Sequence, residues 1–416
     1  MPRKLLLFAL MVCALGAQDD SLPLESVAIE GTHVYRNVVL EIAGLTIGAP
    51  VNKASIDSAC EKLQKSGIFG SIDYSYAPGP KQEYALTLAL ADQTLLSVAA
   101  VDVPGVDEAE VWTWLVSQFP DFDHKIPEAP AAQEFLAARI ESHLGPKLKG
   151  HHIVVNLETN FSGGASKILS FQPDVLPRVG AMTFTGNREF SAEELLGIMN
   201  KVAAGQEYTD RRYRTYVELN LRPAYETRGM YRVQFPAIVA QESAPLSVVV
   251  ATTIVEGAKY TLGNVRILGD SLPLEGMVKA GALRSQSLAN WTEIQNGIWE
   301  MEKVVRRTGY FESRIAPHRI FHDDQRVLDL DLAVSKGPLY RYGEVSMIGL
   351  PASLESKLRS MWKPRTGEPY DYGYPNEFLQ SLARSAEARQ IKKMDAKAQK
   401  GSGDHVMDIK LTFEPK

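Results

Sequence analysis

Val265-Arg-Ile-Leu-Gly269 has the alternating character of a short strand closed by a glycine, and the chain writes the same phrase again and again. It stands as Val27-Ala-Ile-Glu-Gly31, Met182-Thr-Phe-Thr-Gly186 and Val345-Ser-Met-Ile-Gly349, with a weaker copy, Val101-Asp-Val-Pro-Gly105, in the gap between the first two. The last three strong copies are 83 and 80 residues apart. Repetition at that interval means tandem domains, because solenoid repeats are shorter.

The segments after each copy recur as well. A short helix comes first, as in Ser191–Met199, and then a glycine-containing loop: Gly48-Ala-Pro50, Gly205-Gln-Glu-Tyr208, Gly367-Glu-Pro-Tyr370. A longer amphipathic helix is next. Trp291, Ile294, Ile298, Met301 and Val305 share one face at helical spacing. That helix ends at glycine followed by an aromatic: Gly67-Ile-Phe69, Gly229-Met-Tyr231, Gly309-Tyr-Phe311. Glycine there takes up the left-handed conformation that stops a helix, and the chain then enters a strand. Alternating strands close the units at Tyr84–Leu90, Leu246–Glu256, Val327–Val334 and Val406–Phe413. Within them, the valine- and threonine-rich run Leu246–Val255 is expected to be a buried strand. Two junctions match as well, Glu256-Gly-Ala-Lys-Tyr260 and Lys336-Gly-Pro-Leu-Tyr340, each leading shortly to Gly263 or Gly343. Such short linkers leave neighbouring domains little slack.

A β-α-α-β-β unit of about 75–80 residues with glycine and an aromatic before its second strand resembles the polypeptide-transport-associated (POTRA) domain. The residues that carry the resemblance are Gly31, Gly67, Phe69, Gly186, Gly229, Tyr231, Gly269, Gly309, Phe311 and Gly349. It implies an α+β fold of tandem domains, each with a three-stranded mixed sheet covered on one face by two helices. The expected boundaries are 24–93, 94–176, 177–257, 258–337 and 338–416. The second and fifth units diverge. The second lacks the glycine-aromatic pair and carries Lys125-Ile-Pro-Glu-Ala-Pro130, while the fifth has Glu387-Ala-Arg-Gln-Ile391 where the glycine should stand. Lys397–Asp404 is expected to be a flexible hairpin connection.

The first residues set the compartment. Arg3 and Lys4 precede the apolar run Leu5–Leu15, and small residues Ala14, Gly16 and Ala17 come next, the pattern of a secretory signal peptide over residues 1–17. Val12 before Cys13 argues against a lipid anchor there. No later segment has transmembrane length. The 416 residues hold 2 cysteines, 8 histidines and a net charge of −5, which argues against a disulfide scaffold, a thiolate zinc site and a nucleic-acid partner. Cys60, beside Ile56 and Leu63 on a helix, is expected to be a core cysteine.

No catalytic residue, cofactor or metal site is expected. Hydrolase, zincin, phosphate-loop and C-x-x-C motifs are absent. His151-His152 precedes a strand whose successive side chains diverge, and His322-Asp323-Asp324 fits a solvated turn. Glu193-Glu194 suits the first turn of a helix through the dipole alone.

The expected mechanism is β-augmentation, in which an extended partner segment pairs with an open sheet edge. By the resemblance, that edge is the second strand, over Ser71–Tyr76, Tyr231–Phe235 and Phe311–Pro317. The candidate contact residues are Ser71, Ile72, Tyr74, Tyr231, Val233, Phe235, Phe311, Ser313 and Ile315. Pro236 and Pro317 are expected to end two of the segments. Phe69, Tyr231 and Phe311 themselves are expected to pack beneath the helices. In the outer-membrane barrel-assembly factors that the array resembles, a membrane barrel comes after the array. Here the last strand ends near Phe413, so no barrel is expected. The expected function is a periplasmic scaffold or chaperone-like module, held at the outer membrane through a partner. It would bind extended segments of outer-membrane barrel proteins or the assembly machinery. The alternatives are a structural spacer in an envelope complex, or the soluble part of a split assembly or secretion transporter.

Overall fold

The computed structural model describes residues 21–160 and 166–416, so the leader expected over residues 1–17, with Cys13, lies outside the described residues. Five sheets succeed one another along the chain. The first repeat runs β1 (Leu22–Glu30), α1 (Arg36–Ala43), β2 (Pro50–Val51), α2 (Lys53–Lys65), β3 (Phe69–Pro78) and β4 (Tyr84–Asp92). The second runs β5 (Leu96–Val101), α3 (Glu108–Val116), β6 (Lys125–Pro127), α4 (Pro130–Leu144), a 3₁₀ turn, β7 (Ile153–Asn160) and β8 (Ser166–Pro173). The third has β9 (Arg178–Thr185), α5 (Ala192–Met199), α6 (Asp210–Thr227), β10 (Gln234–Ala244) and β11 (Ser247–Val255). The fourth has β12 (Thr261–Leu268), α7 (Leu274–Gly281), α8 (Trp291–Arg306), β13 (Arg314–His322) and β14 (Val327–Ser335). The fifth has β15 (Arg341–Ile348), α9 (Ala352–Met361), α10 (Tyr374–Ala383), a 3₁₀ turn, β16 (Ile391–Lys400) and β17 (Val406–Pro415).

The strand orders are β2-β1-β4-β3, β6-β5-β8-β7, β10-β11-β9, β12-β14-β13 and β15-β17-β16. The last long strand is central each time. Where the register is defined, it runs parallel to the first strand and antiparallel to the second. This is the mixed β-α-α-β-β topology that the POTRA resemblance implies. Tertiary contacts gather the chain into two compact bodies. Of the described residues, one body comprises 21–160, 166–183, 200–216 and 238–251, the other 184–199, 217–237 and 252–416.

Steric fit explains the repeated strand-glycine phrase. Gly31, Gly186 and Gly349 have φ of 77°, 82° and 89°, and a Cβ on any of them would strike the carbonyl of Leu90, Ile254 or Phe413 on the central strand. Glycine is thus required twice, for its dihedral and for close backbone approach. In the fourth repeat the core is built from one face of each layer. Leu328, Leu330 and Leu332 of β14 are fully buried with Ile294, Ile298, Met301 and Val305 of α8, the apolar face read from the spacing.

Two features differ from expectation. The first two sheets have four strands, because the loop between the helices reaches back to the first strand. β2 and β6 pair antiparallel with β1 and β5, and the same contact survives as single bridges at Arg178–Glu207, Thr261–Leu288 and Arg341–Pro369. The proline-rich stretch of the second repeat is therefore ordered: Lys125–Pro127 is the extra strand and Pro130 opens α4, where a missing N–H costs nothing. Lys397–Lys400 belongs to β16, and the hairpin turn is confined to residues 401–405. Its pairing with β17 runs on to Lys400 opposite Met407, so the ladder extends further than its lysines suggest.

Candidate partner-binding edges

The second long strand of each repeat, β3, β7, β10, β13 or β16, ends its sheet. It presents one row of backbone N–H and C=O groups to no other described strand, which is the physical requirement for adding a partner strand. The second helix of the repeat packs beside that edge, as α2 does on β3 and α4 on β7.

The predicted residues divide into two sets. Ser71, Ile72 and Tyr74 lie on β3, with Ser71 exposed and Ile72 and Tyr74 half-buried, and the Tyr74 hydroxyl bonds to Asp57 of α2. Phe235 lies on β10 and Ile315 on β13, both buried. Tyr231, Val233, Phe311 and Ser313 are not on edge strands. They fall in the turns before Gln234 and Arg314, where the chain is still leaving the helix. Neither proline ends its strand: β10 continues through Pro236 to Ala244, and β13 through Pro317 to His322. An edge strand has only one ladder to satisfy, so it tolerates the missing donor.

Phe69 and Tyr231 are buried and Phe311 is half-buried, and Tyr231 and Phe311 do not pack where expected. Tyr231 sits in the core of the fourth repeat, against Tyr260, Trp291 and Phe321, and its hydroxyl donates to the Ala289 carbonyl at 2.7 Å. Phe311 packs likewise on Tyr340 and Tyr370 of the fifth. The signature glycines serve the same junctions. Gly229 and Gly309 have φ of 74° and 98°, and their carbonyls accept the N–H groups of Tyr260 and Tyr340 at 2.9 and 2.8 Å. Gly67 has φ of 66°, and a Cβ there would run into the start of α4. Glycine-aromatic is thus a joint between repeats as well as a helix stop. The matching Gly-x-x-Tyr junctions were legible in the sequence, and only the direction in which the aromatic points was not.

Polar groups complete these joints. Arg232 stacks on Phe321 and pairs with Asp323 at 3.0 and 3.1 Å, and the Tyr260 hydroxyl also bonds Asp323. Arg307 reaches Asp371 and Glu377 of the fifth repeat. In the other body, Arg211 grips Glu108 at 2.8 and 2.9 Å, and Arg212 pairs with Glu158 at 2.7 Å. Beside them Asp102 is buried, which pushes its carboxyl up to about 6 despite bonds from Thr209 and the Arg211 N–H. No sequence motif marks this second kind of joint.

The groups weighed for metal binding have protein partners. His151 pairs with Asp174, His152 with Glu141 and His322 with Asp329. Glu194 forms a reciprocal capping box with Ser191, which the dipole alone did not anticipate. Cys60 is half-buried against the core, and burial raises its thiol. Among the described residues, no helix is long and apolar enough to cross a membrane.

No family model matches the chain. Among solved structures it is similar to POTRA domains 3–5 of BamA from Haemophilus influenzae, at 18% identity over 57% of this chain and 96% of that one, with a TM-score of 0.37. It is also similar to the N-terminal domain of Omp85 from the thermophilic cyanobacterium Thermosynechococcus elongatus, at 14% identity over 57% and 97%, TM-score 0.24. A third is CdiB from Acinetobacter baumannii, at 11% identity over 39% of this chain and 31% of that one, TM-score 0.21.

Proposed function

We propose that the chain is a periplasmic POTRA array that binds extended segments of outer-membrane barrel proteins, or of their assembly or secretion machinery, by strand addition. Residues 1–17 would be its export signal, and 24–93, 94–176, 177–257, 258–337 and 338–416 its five domains. The observation that supports this reading is the strand order: the second long strand stands at a free edge in all five sheets. Edge pairing through backbone groups asks little of the partner's sequence, which suits a module that meets many unfolded clients.

The test places a photo-crosslinking residue on the full chain at Ser75, Val239, His318 or Lys397, each on an edge strand, in cells with an outer membrane. Crosslinks to unfolded barrel proteins or assembly partners are expected. Their absence from every edge overturns the reading.

A second reading, a spacer that holds a distance within an envelope complex, draws on the aromatic joints. Tyr231 and Phe311 each tie one repeat into the next, as a strut requires. A spacer would crosslink at its ends and to no client.

A further inference from the structure

The repeats treat their free edges differently. In three of them the second helix puts a charged side chain on backbone groups at, or just before, the start of its own edge strand. Glu141 of α4 accepts the Ile153 N–H at 3.1 Å. Arg222 of α6 donates to the Val233 carbonyl at 2.8 Å. In the fourth repeat, Glu302 accepts the Ile315 N–H at 2.7 Å and Arg306 donates to the Ser313 carbonyl at 3.3 Å, both from a buried ion pair. An incoming strand would have to displace these bonds, at greatest cost in the fourth repeat, where the charges are buried.

Among the described residues, the first repeat has no such bonds. Counted back from the signature glycine, Cys60 and Gln64 occupy the places of Glu302 and Arg306. Neither side chain bonds β3. A groove of about 440 Å³ opens there instead, between Cys60, Glu61 and Gln64 of α2 and Gly70, Ser71 and Ile72 of β3. Near its head, Gln93 makes only a long side-chain bond, 3.5 Å, to the Phe69 carbonyl.

The strand itself is also lightly guarded, and β7 alone matches it in carrying one charge and no internal proline. β3 carries one charge, Asp73, and no proline before Pro78. By contrast β10 and β13 are interrupted by Pro236 and Pro317, and β16 carries Lys392, Lys393, Lys397 and Lys400. On β7, Glu158 is tied to Arg212. Edge lysines and prolines are the usual means of refusing another strand.

We infer that the β3 edge of the first repeat is the docking strand of the array, and that the α2–β3 groove receives alternate side chains of an extended, neutral-to-basic polypeptide segment. This rests on the strand-addition reading and assigns it a place. Backbone groups of the segment pair with β3. Its inward side chains meet the uncharged Cys60 thiol and Ile72, and its outward ones pass Asp73 on the strand and Glu61 on the helix. Glu61 makes a long contact, 3.7 Å, to Lys65, while Asp57 is already held by Lys53 and Tyr74.

The experiment uses the full chain and a synthetic decapeptide alternating valine with threonine and lysine, with a control in which glutamate replaces lysine. Hydrogen exchange with the lysine peptide should protect Ser71–Ala77, and the glutamate peptide should bind at least about tenfold more weakly. The double substitution Cys60→Glu, Gln64→Arg, which copies the fourth repeat, should weaken binding about tenfold with the unfolding midpoint retained. Protection on β7, β10, β13 or β16 but not on β3 overturns this inference and leaves strand addition standing. So does equal binding of the two peptides, or undiminished binding by a folded double variant. Protection on no strand overturns strand addition itself. Exchange on the unaltered chain decides the matter even if the double variant fails to fold.

Discussion

Tyr231 and Ala289 belong to different repeats, yet the hydroxyl of one is bonded to the backbone carbonyl of the other inside a single core. The aromatic is 5% exposed and ringed by Tyr260, Trp291 and Phe321, with the Arg319 guanidinium over it. Tyr231→Ala should therefore cost about 3–5 kcal/mol, the range for emptying a large aromatic site. Tyr231→Phe should cost about 1 kcal/mol for the lost bond. Denaturant unfolding measures both. Hydrogen exchange should show the loss in β12 and β14, in the repeat after the one that carries the residue.

Two glycines separate dihedral strain from crowding. Gly309 has φ of 98°, and an added Cβ would lie 2.5 Å from Leu339 and 3.1 Å from the Tyr340 carbonyl. Gly367 has φ of 88° and open space around it. Gly367→Ala should cost about 1–2 kcal/mol, the penalty of a left-handed alanine. Gly309→Ala should exceed it by at least about 1 kcal/mol because the next repeat has to move. Equal melting temperatures for the two variants would contradict the joint.

The buried pair in the fourth repeat gives a third prediction. Glu302→Ala takes the paired carboxylate from Arg306, which keeps the Ser313 carbonyl, and leaves the Ile315 N–H without its acceptor. Both side chains of the pair are about nine-tenths covered. A loss of about 3–5 kcal/mol is expected. Replacing both partners together, as Glu302→Leu with Arg306→Met, should recover most of it.

Asp102 provides a dependence on pH. Its carboxyl titrates near 6 when folded, above its ordinary value of 3.8, chiefly because it is buried. A raised carboxyl binds its proton more tightly in the folded state. Its favourable contribution is full below the ordinary value and disappears as pH rises through about 6. Asp102→Asn should thus gain stability relative to the unaltered chain between pH 4 and pH 7, by at most about 3 kcal/mol. Arg211, Asp210 and Thr209 face the group and set how much of that is seen. Unfolding curves of both proteins at several pH values would show a constant gap if the site were solvated.

Much of the fold was legible because it repeats. Val327–Val334 and Val406–Phe413, read as closing strands from their alternation, lie within β14 and β17. The face from Ile294 to Val305 is the buried face of α8. What escaped was anything set by a neighbour. The backbone bridge of β2 to β1 needs a loop to fold back, and two residues of extended chain carry no periodic signal. Tyr231 announced that it would be buried, not whose core it would enter. The 3₁₀ turn Ala386–Gln390 stops the helix of the fifth repeat without glycine, by a tighter winding that composition does not mark. At the edges, strand order came from topology. The difference between Cys60 and Glu302 became meaningful only once both were seen beside a strand.

The placement of Tyr231 also gives the array a direction in time. A chain synthesised from its N-terminus delivers this residue before Tyr260, Trp291 or Phe321, so the third repeat waits with an uncovered aromatic until the fourth has emerged. Phe311 sets the same delay between the fourth and the fifth. The fourth and fifth repeats each finish the one behind them in the queue. A cut made upstream of Gly229 therefore leaves a hollow in the fourth repeat, and a cut made just before Tyr260 leaves an exposed ring on the third.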